Sequence, residues 1–217
     1  MIASFADGTK LAAECTVLAN ATGFRAAKPG MNGFELEDVT EIVDRFDPEW
    51  LVQNPTVDFV LGAKPGSGVF VVAYERDPER RAAMSYLKMG PGPLHLFTRP
   101  FHLPHLEAPL SAARAALFGD ATVAPMGAPV CDMIAVAKRD LEVGDTLDGV
   151  GGFTNYAIVY NSDEAAAARM LPMGLSPGAV MKRAVPVDEP LTYDDVDLAG
   201  GLVLDLRRQQ DAHFGLS

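Results

Sequence analysis

The chain has 217 residues, is 48% apolar and carries a formal net charge of −11. Such a composition supplies a packed core and opposes general binding to nucleic acid or to an anionic membrane surface, while a few basic side chains in a cleft still suffice for a small anionic substrate. The two cysteines, Cys15 and Cys131, show no CxxC or paired spacing, so neither a disulfide scaffold nor a zinc site is indicated and a reducing compartment fits.

The N-terminus shows no basic segment followed by an apolar stretch and a cleavage site, and no run approaches the roughly 20 apolar residues of a membrane span, so a cytoplasmic protein is expected. Along the chain, "SFADGTKLAAECTVLANATG", residues 4–23, reads as a strand end, an Asp7-Gly8 turn and a helix. Thr9 is the expected N-cap, Leu11, Cys15, Leu18 and Thr22 keep a helical period, and Gly23 stops it. Lys10 and Glu14, four apart, share one face, with Asn20 further along near the same side. They form either a solvated ion pair or a pair facing a cleft.

A loop rich in Lys, Pro and Gly follows, and then Leu36, Val39, Ile42, Val43 and Phe46 mark a second amphipathic helix with an acidic polar face. "VDFVLGAKPGSGVFVVAYE" holds two apolar, β-branched runs around a Gly/Pro turn and predicts a buried hairpin. That turn, residues 62–68, lacks both the GxGxxG and the GxxxxGK[ST] spacing and is read as a turn rather than a phosphate loop. "PLHLFTRP" predicts a third strand, and Leu106, Leu110, Ala113 and Leu117 predict a helix over 105–118 that ends at Gly119.

Residues 88–107 carry the densest chemistry: Lys88, His95, Arg99, His102, His105 and Glu107, including three of the four histidines. Lys and Arg suit a phosphate or carboxylate, and His suits proton transfer at an oxygen. The histidine spacing matches no recognised metal-ligand motif, so an anionic-substrate site is the preferred reading.

The second half contains an internal echo. "AVAKRDLEVGDTL", residues 135–147, and "AVMKRAVPVDEPL", residues 179–191, agree at Ala, Val, Lys, Arg, Val and Leu without a gap. This predicts two related hairpin-like units packed on each other, with Lys138, Arg139, Lys182 and Arg183 mostly at solvent edges. Between them lie a Gly-rich bend, a strand and a short Ala-rich helix capped by Ser162 or Asp163.

The segments "KRDLEVGDTLD" and "KRAVPVDEPLTYDDVDL" resemble the SAF domain, a β-clip module of sugar-acid enzymes and assembly proteins. Taken with "FADGTK", "ANATG", "VDFVLGAKPGSGVFVV", "YLKMGPGPLHLFTRPFHLPHLEAPLSAARAALFGDATVAP", "VCDMIAVAKRDLEVGDTLDGVGGFTNYA" and "LPMGLSPGAVMKRAVP", the whole chain resembles the C-terminal half of a family of NAD(P)-dependent oxidoreductases. These are homoserine-dehydrogenase-like proteins with a SAF domain, and they include 1-deoxy-D-xylulose-5-phosphate reductoisomerase-like members.

The resemblance implies an α+β fold: an open, mostly antiparallel sheet with packed helices over 1–124, a small SAF-like β-clip domain over 125–200 and a C-terminal tail over 201–217. It implies that the family's N-terminal Rossmann domain is absent here, since no strand–GxGxxG–helix unit occurs. It further implies NADP or NAD as cofactor, with the binding site mostly outside these residues, and a small anionic sugar-derived substrate. A homo-oligomer or a partner chain bearing the Rossmann domain is expected. From residue type and clustering, Lys10 is expected to polarise the reacting oxygen with Glu14 orienting it, and Arg99, His102 and His105, with Lys88 and Asn20, to bind substrate; Asp132 is a weaker candidate. Two alternatives stay open: a SAF-type sugar-acid binding or oligomerisation module, and a sugar-acid dehydratase component that uses a divalent metal.

Overall fold

The computed structural model describes residues 2–216, in which helices and short strands alternate. In chain order these are α1 (Ile2–Ala6), α2 (Thr9–Thr22), β1 (Arg25–Ala26), β2 (Phe34–Glu35), a 3-10 helix (Val39–Arg45), α3 (Pro48–Gln53), β3 (Thr56–Val57), β4 (Val60–Leu61), β5 (Val69–Tyr74), α4 (Pro78–Tyr86), β6 (Leu94–Arg99) and α5 (Pro104–Phe118). There follow β7 (Cys131–Ala137), β8 (Asn155–Asn161), α6 (Ser162–Ala167), a second 3-10 helix (Met173–Leu175), β9 (Val180–Met181), β10 (Val196–Asp197) and α7 (Leu202–Phe214). The class is α+β. In place of one open sheet, the strands form two-stranded ladders: β1–β3 and β2–β4 are parallel, and β5–β6, β7–β8 and β9–β10 antiparallel. The chain divides into two compact units, one holding residues up to Asn32, Thr56–Asp58 and those from Pro125 onward, the other holding Gly33–Pro55 and Phe59–Ala124.

In the first unit, the buried face of α2 is Thr9, Ala12, Cys15 and Ala19. Of the expected stripe Cys15 is buried and Leu11 partly so, while Leu18 is 43% exposed and Thr22 is exposed. Small side chains let α2 approach the β7–β8 hairpin closely enough for polar groups to reach its backbone. Thr9 Oγ1 accepts from Ala157 N at 3.1 Å. Asn20 Oδ1 accepts from Val130 N at 2.7 Å and Cys131 N at 3.2 Å, and its amide donates to Cys131 O at 3.0 Å. The N-cap of α2 is Gly8 rather than Thr9, with Asp7 accepting from Thr9 N at 3.0 Å. The segment before the turn is the short helix α1, where a strand end was expected, and Asn161 rather than Ser162 or Asp163 stands at the N-cap of α6.

The echoed segments pair with each other about a pseudo-two-fold axis. At the axis Leu141 and Val185, which hold the same place in the two copies, exchange both backbone hydrogen bonds. On either side, Ala137 N donates to Glu189 O and Met181 N to Asp145 O, then Asp188 N to Ala137 O and Gly144 N to Met181 O. Leu191 N bonds Ala135 O and Leu147 N bonds Ala179 O in the same relation. Even the backbone conformation repeats, for Gly144 and Asp188, again equivalent, turn with φ of 90° and 66°. Leu141, Leu147, Leu191, Ala135, Ala179 and Met181 fill the core beneath this clip.

In the second unit the sequence expectation fails in two places. β4 and β5 do not form a hairpin: β4 pairs with β2, and β5 runs antiparallel to β6 from Val69↔Arg99 to Tyr74↔Leu94. The Gly/Pro turn between them separates strands of different ladders, and Val69 and Val71 are left exposed. The expected acidic helix is strand β2 followed by a 3-10 helix, started by a capping box in which Asp38 and Glu41 satisfy each other's backbone N–H groups.

Candidate functional site

On α2, Lys10 and Glu14 form an i,i+4 ion pair with Nζ 2.6 Å from Oε1, both side chains about half exposed. Lys10 Nζ also stands 4.8 Å from the centroid of the Phe5 ring, so its cation is held between a carboxylate and an aromatic face. The neighbouring Asp7 caps the helix and pairs with Lys138 Nζ at 2.5 Å. Burial pushes the Asp7 carboxyl up, but the hydrogen bonds from Lys138 and Thr9 outweigh it and leave the group more acidic than usual.

Asn20 follows on the same helix, with both ends of its amide engaged by the backbone of residues 130–131. Asp132, at the start of β7, is ion-paired with Arg207 of α7, and Arg207 also bonds Asp211 through Nε at 2.8 Å. Burial pulls the Arg207 guanidinium toward losing its proton, but the two carboxylates hold it charged. The Asp132–Arg207 pair lines a cavity of about 440 Å³ with Thr16, Met133, Leu175 and Gln210. This arrangement was not foreseen, because 201–217 was read as a tail. The spacing of Leu204, Arg207 and Asp211 at helical intervals carried the signal.

The basic cluster lies in the second unit. Arg99, at the end of β6, is ion-paired with Glu107 in the first turns of α5. His102 and His105 are exposed, His102 in the Pro-flanked connection and His105 at the start of α5. Lys88 is exposed and sits in the left-handed region at φ 65° in the loop between α4 and β6.

His95 is the buried member of the set, fully enclosed on β6. Its Nδ1 lies 3.1 Å from Met89 O, and because a carbonyl only accepts, Nδ1 carries the proton. Nε2 is buried without a hydrogen-bond partner among the described residues. Gly92, at φ 72°, packs against it: a Cβ there would lie 2.7 Å from Nε2.

The four echoed basic residues all carry ion pairs. Lys138 holds Asp7, Arg139 bonds Asp145 at 2.9 Å, Lys182 stands 3.9 Å from Asp197, and Arg183 pairs with Asp195. Among the described residues no group of three or more His, Cys, Asp or Glu could hold a metal ion, and no helix is long and apolar enough to cross a membrane. The glycine-rich turn 62–68 joins β4 to β5 and opens no helix.

Residues 1–108 match the family model described as oxidoreductase DRL, catalytic domain. The matched span contains Lys10, Glu14, Asn20, Lys88, Arg99, His102 and His105, and it supports an oxidoreductase-type catalytic part in the first half of the chain. No curated protein matches the chain significantly.

Proposed function

We propose that the chain is the substrate-binding and catalytic part of an NAD(P)-dependent oxidoreductase or reductoisomerase acting on a sugar phosphate or sugar acid. The observation that carries this reading is the match of residues 1–108 to an oxidoreductase catalytic domain, because that span holds Lys10, Glu14, Asn20, Lys88, Arg99, His102 and His105. Lys10 polarises the reacting oxygen, and Glu14 fixes the direction of its ammonium. Lys88, Arg99, His102 and His105 hold the anionic end of the substrate.

On this reading the nicotinamide is held by a separate nucleotide-binding domain, and the chain works as a homo-oligomer or with a partner chain that bears that domain. A cytoplasmic setting suits such a reaction. A second reading, a SAF-type sugar-acid binding or oligomerisation module, draws on the pseudo-two-fold clip of residues 135–191.

Titration of NADPH and NADH into the purified chain, followed by nicotinamide fluorescence, with and without a panel of sugar phosphates and sugar acids, tests the proposal. Binding of an anionic sugar that weakens in Arg99→Ala and Lys88→Ala, without saturable cofactor binding, is expected. Saturable cofactor binding would overturn the placement of the nicotinamide site. Sugar binding indifferent to both substitutions would overturn the assignment of the anion site.

A further inference from the structure

The second cavity of the first unit, about 260 Å³, lies between the turn that follows α6 and the helix α7. One wall is a backbone pairing in which Tyr193 N donates to Arg169 O at 2.9 Å and Met170 bridges Thr192. The facing wall is α7, which contributes Leu204, Arg207, Arg208 and Asp211 at helical spacing. The floor is apolar, with Ala165, Met170, Leu198 and Leu204.

The polar groups of this slot are mostly donors. Asp211, the sole carboxylate in the lining, is already bonded through both oxygens to Arg207 Nε, at 2.8 and 2.9 Å. Arg169 is held only at the surface, by Asp194 at 3.2 Å with both side chains more than half exposed. Arg208 has no ion pair with any described residue, and the half-buried Tyr193 hydroxyl has no hydrogen bond with one. Arg207 is neutralised by Asp132 and Asp211 and Arg169 by Asp194, which leaves Arg208 as the guanidinium of the lining without an ion pair among the described residues.

A rim with one unpaired guanidinium, a second held only by an exposed carboxylate, and a phenol, beside apolar side chains, is complementary to one chemical class. We propose that this cavity binds a small carboxylate with a short apolar body, the carboxylate meeting Arg208, Arg169 and the Tyr193 hydroxyl and the hydrocarbon part covering Met170, Leu198 and Leu204. A planar carboxylate takes parallel hydrogen bonds from a guanidinium, which a point-charge ammonium does not supply. The volume sits below the roughly 300–1,000 Å³ of sites for drug-sized ligands, which sets the ligand as small. The site uses none of the residues assigned to the sugar substrate and stands independently of that assignment.

The test is calorimetric and NMR titration of the full chain with butanoate, benzoate, acetate and inorganic phosphate. Butanoate or benzoate is expected to saturate and to bind at least tenfold tighter than acetate or phosphate. Arg208→Ala, and separately Arg208→Lys, which keeps the charge but loses the fork, each lower that affinity about tenfold or more, while Arg99→Ala leaves it unchanged. Failure of every ligand to saturate overturns the proposal. So does phosphate or acetate binding as tightly as benzoate, because the floor then contributes nothing. Full affinity in Arg208→Lys removes the fork from the account, and sensitivity to Arg99→Ala moves the ligand to the other site.

Discussion

Leu141 and Val185 occupy the same place in two copies of one sequence pattern, and they bond to each other through both backbone groups, at 2.9 and 3.0 Å. Symmetry of this kind is approximate at the level of side chains, and the two left-handed turns that flank it show where. Gly144 takes its φ of 90° without a side chain and has open space where a Cβ would lie, whereas Asp188 takes φ 66° as a non-glycine residue whose carboxylate accepts from the Tyr156 hydroxyl at 3.1 Å. Gly144→Ala should therefore cost about 1–2 kcal/mol, the ordinary penalty of a Cβ in the left-handed region. Asp188→Gly should be near neutral, because relief of the same penalty is offset by the lost hydrogen bond, about 1 kcal/mol, and by glycine's added chain entropy. Urea midpoints of the two variants measure the difference, and equal losses would contradict it.

Asn20 supplies three hydrogen bonds to the backbone of residues 130–131, so Asn20→Ala strands two N–H groups and a carbonyl where α2 meets β7. The expected loss is about 2–4 kcal/mol, read from thermal or denaturant unfolding. Asn20→Asp separates the two ends of the amide, because it retains the acceptor for Val130 and Cys131 but sets an oxygen against Cys131 O. It should still be clearly less stable than the parent.

Lys10→Met tests chemistry rather than folding. An i,i+4 pair this exposed contributes only about 0.3–0.5 kcal/mol, so unfolding should hardly change. Turnover in the assembled, cofactor-supplied enzyme should fall about 100- to 10,000-fold, the range for removing a positioned proton-transfer group. Unaltered turnover would return the Lys10–Glu14 pair to a surface role.

Asp195 gives the clip an acid limit. Its carboxyl is nearly enclosed, and burial pushes it up, but the Arg183 guanidinium and both the N–H and the hydroxyl of Thr192 outweigh burial and hold it below the usual carboxylate range. Below the unfolded-state value of about 3.9, the unfolded chain takes up the proton first. The stabilisation is complete above about pH 5 and is lost as the pH falls through the folded-state value. Asp195→Asn should lower stability at pH 7 and flatten the stability profile between about pH 5 and 2, as followed by unfolding at each pH. A slope unchanged from the parent would remove Asp195 from the account.

Gly92 and His95 should behave as a coupled pair. Gly92→Ala places a methyl 2.7 Å from Nε2 at φ 72°, with an expected cost of about 2–4 kcal/mol from backbone strain and overpacking. In the His95→Ala background the clash with the ring vanishes and only the flexible Arg81 side chain remains near, so a double-mutant cycle should show coupling of about 1 kcal/mol or more. Strict additivity would mean that only the backbone of Gly92 matters.

What the sequence made legible follows the physics of each signal. Gly23 and Gly119 announced the ends of α2 and α5 because both take the left-handed C-cap conformation. The repeat over 135–191 was visible because a two-fold clip places similar demands on equivalent residues. The pairing of β4 with β2, and of β5 with β6, was not visible, since apolar runs on either side of a turn look alike whether or not they face each other. Helix α4 was missed for a related reason. "PERRAAM" presents no apolar stripe, and its only announcement is Asp77, whose side chain accepts from Glu79 N, with Pro78 beside it. Of the candidate site, Lys10 with Glu14 was readable from spacing alone, whereas the cavities beside α7 depend on residues far apart in sequence, such as Asp132 and Arg207.

The hydrogen bonds that Asn20 and Thr9 make to β7 and β8 also bear on how the chain is made. Helix α2 is synthesised long before Cys131 and Ala157, and residues 33–55 and 59–124, which belong to the other unit, emerge in between. At about 5–20 residues per second, α2 waits on the order of ten seconds on the ribosome with its small-residue face uncovered. The intervening unit meanwhile has its own strand partners in hand. The unit that begins first is thus completed last, because α2 can bury its inner face only once residues 131–161 have been made.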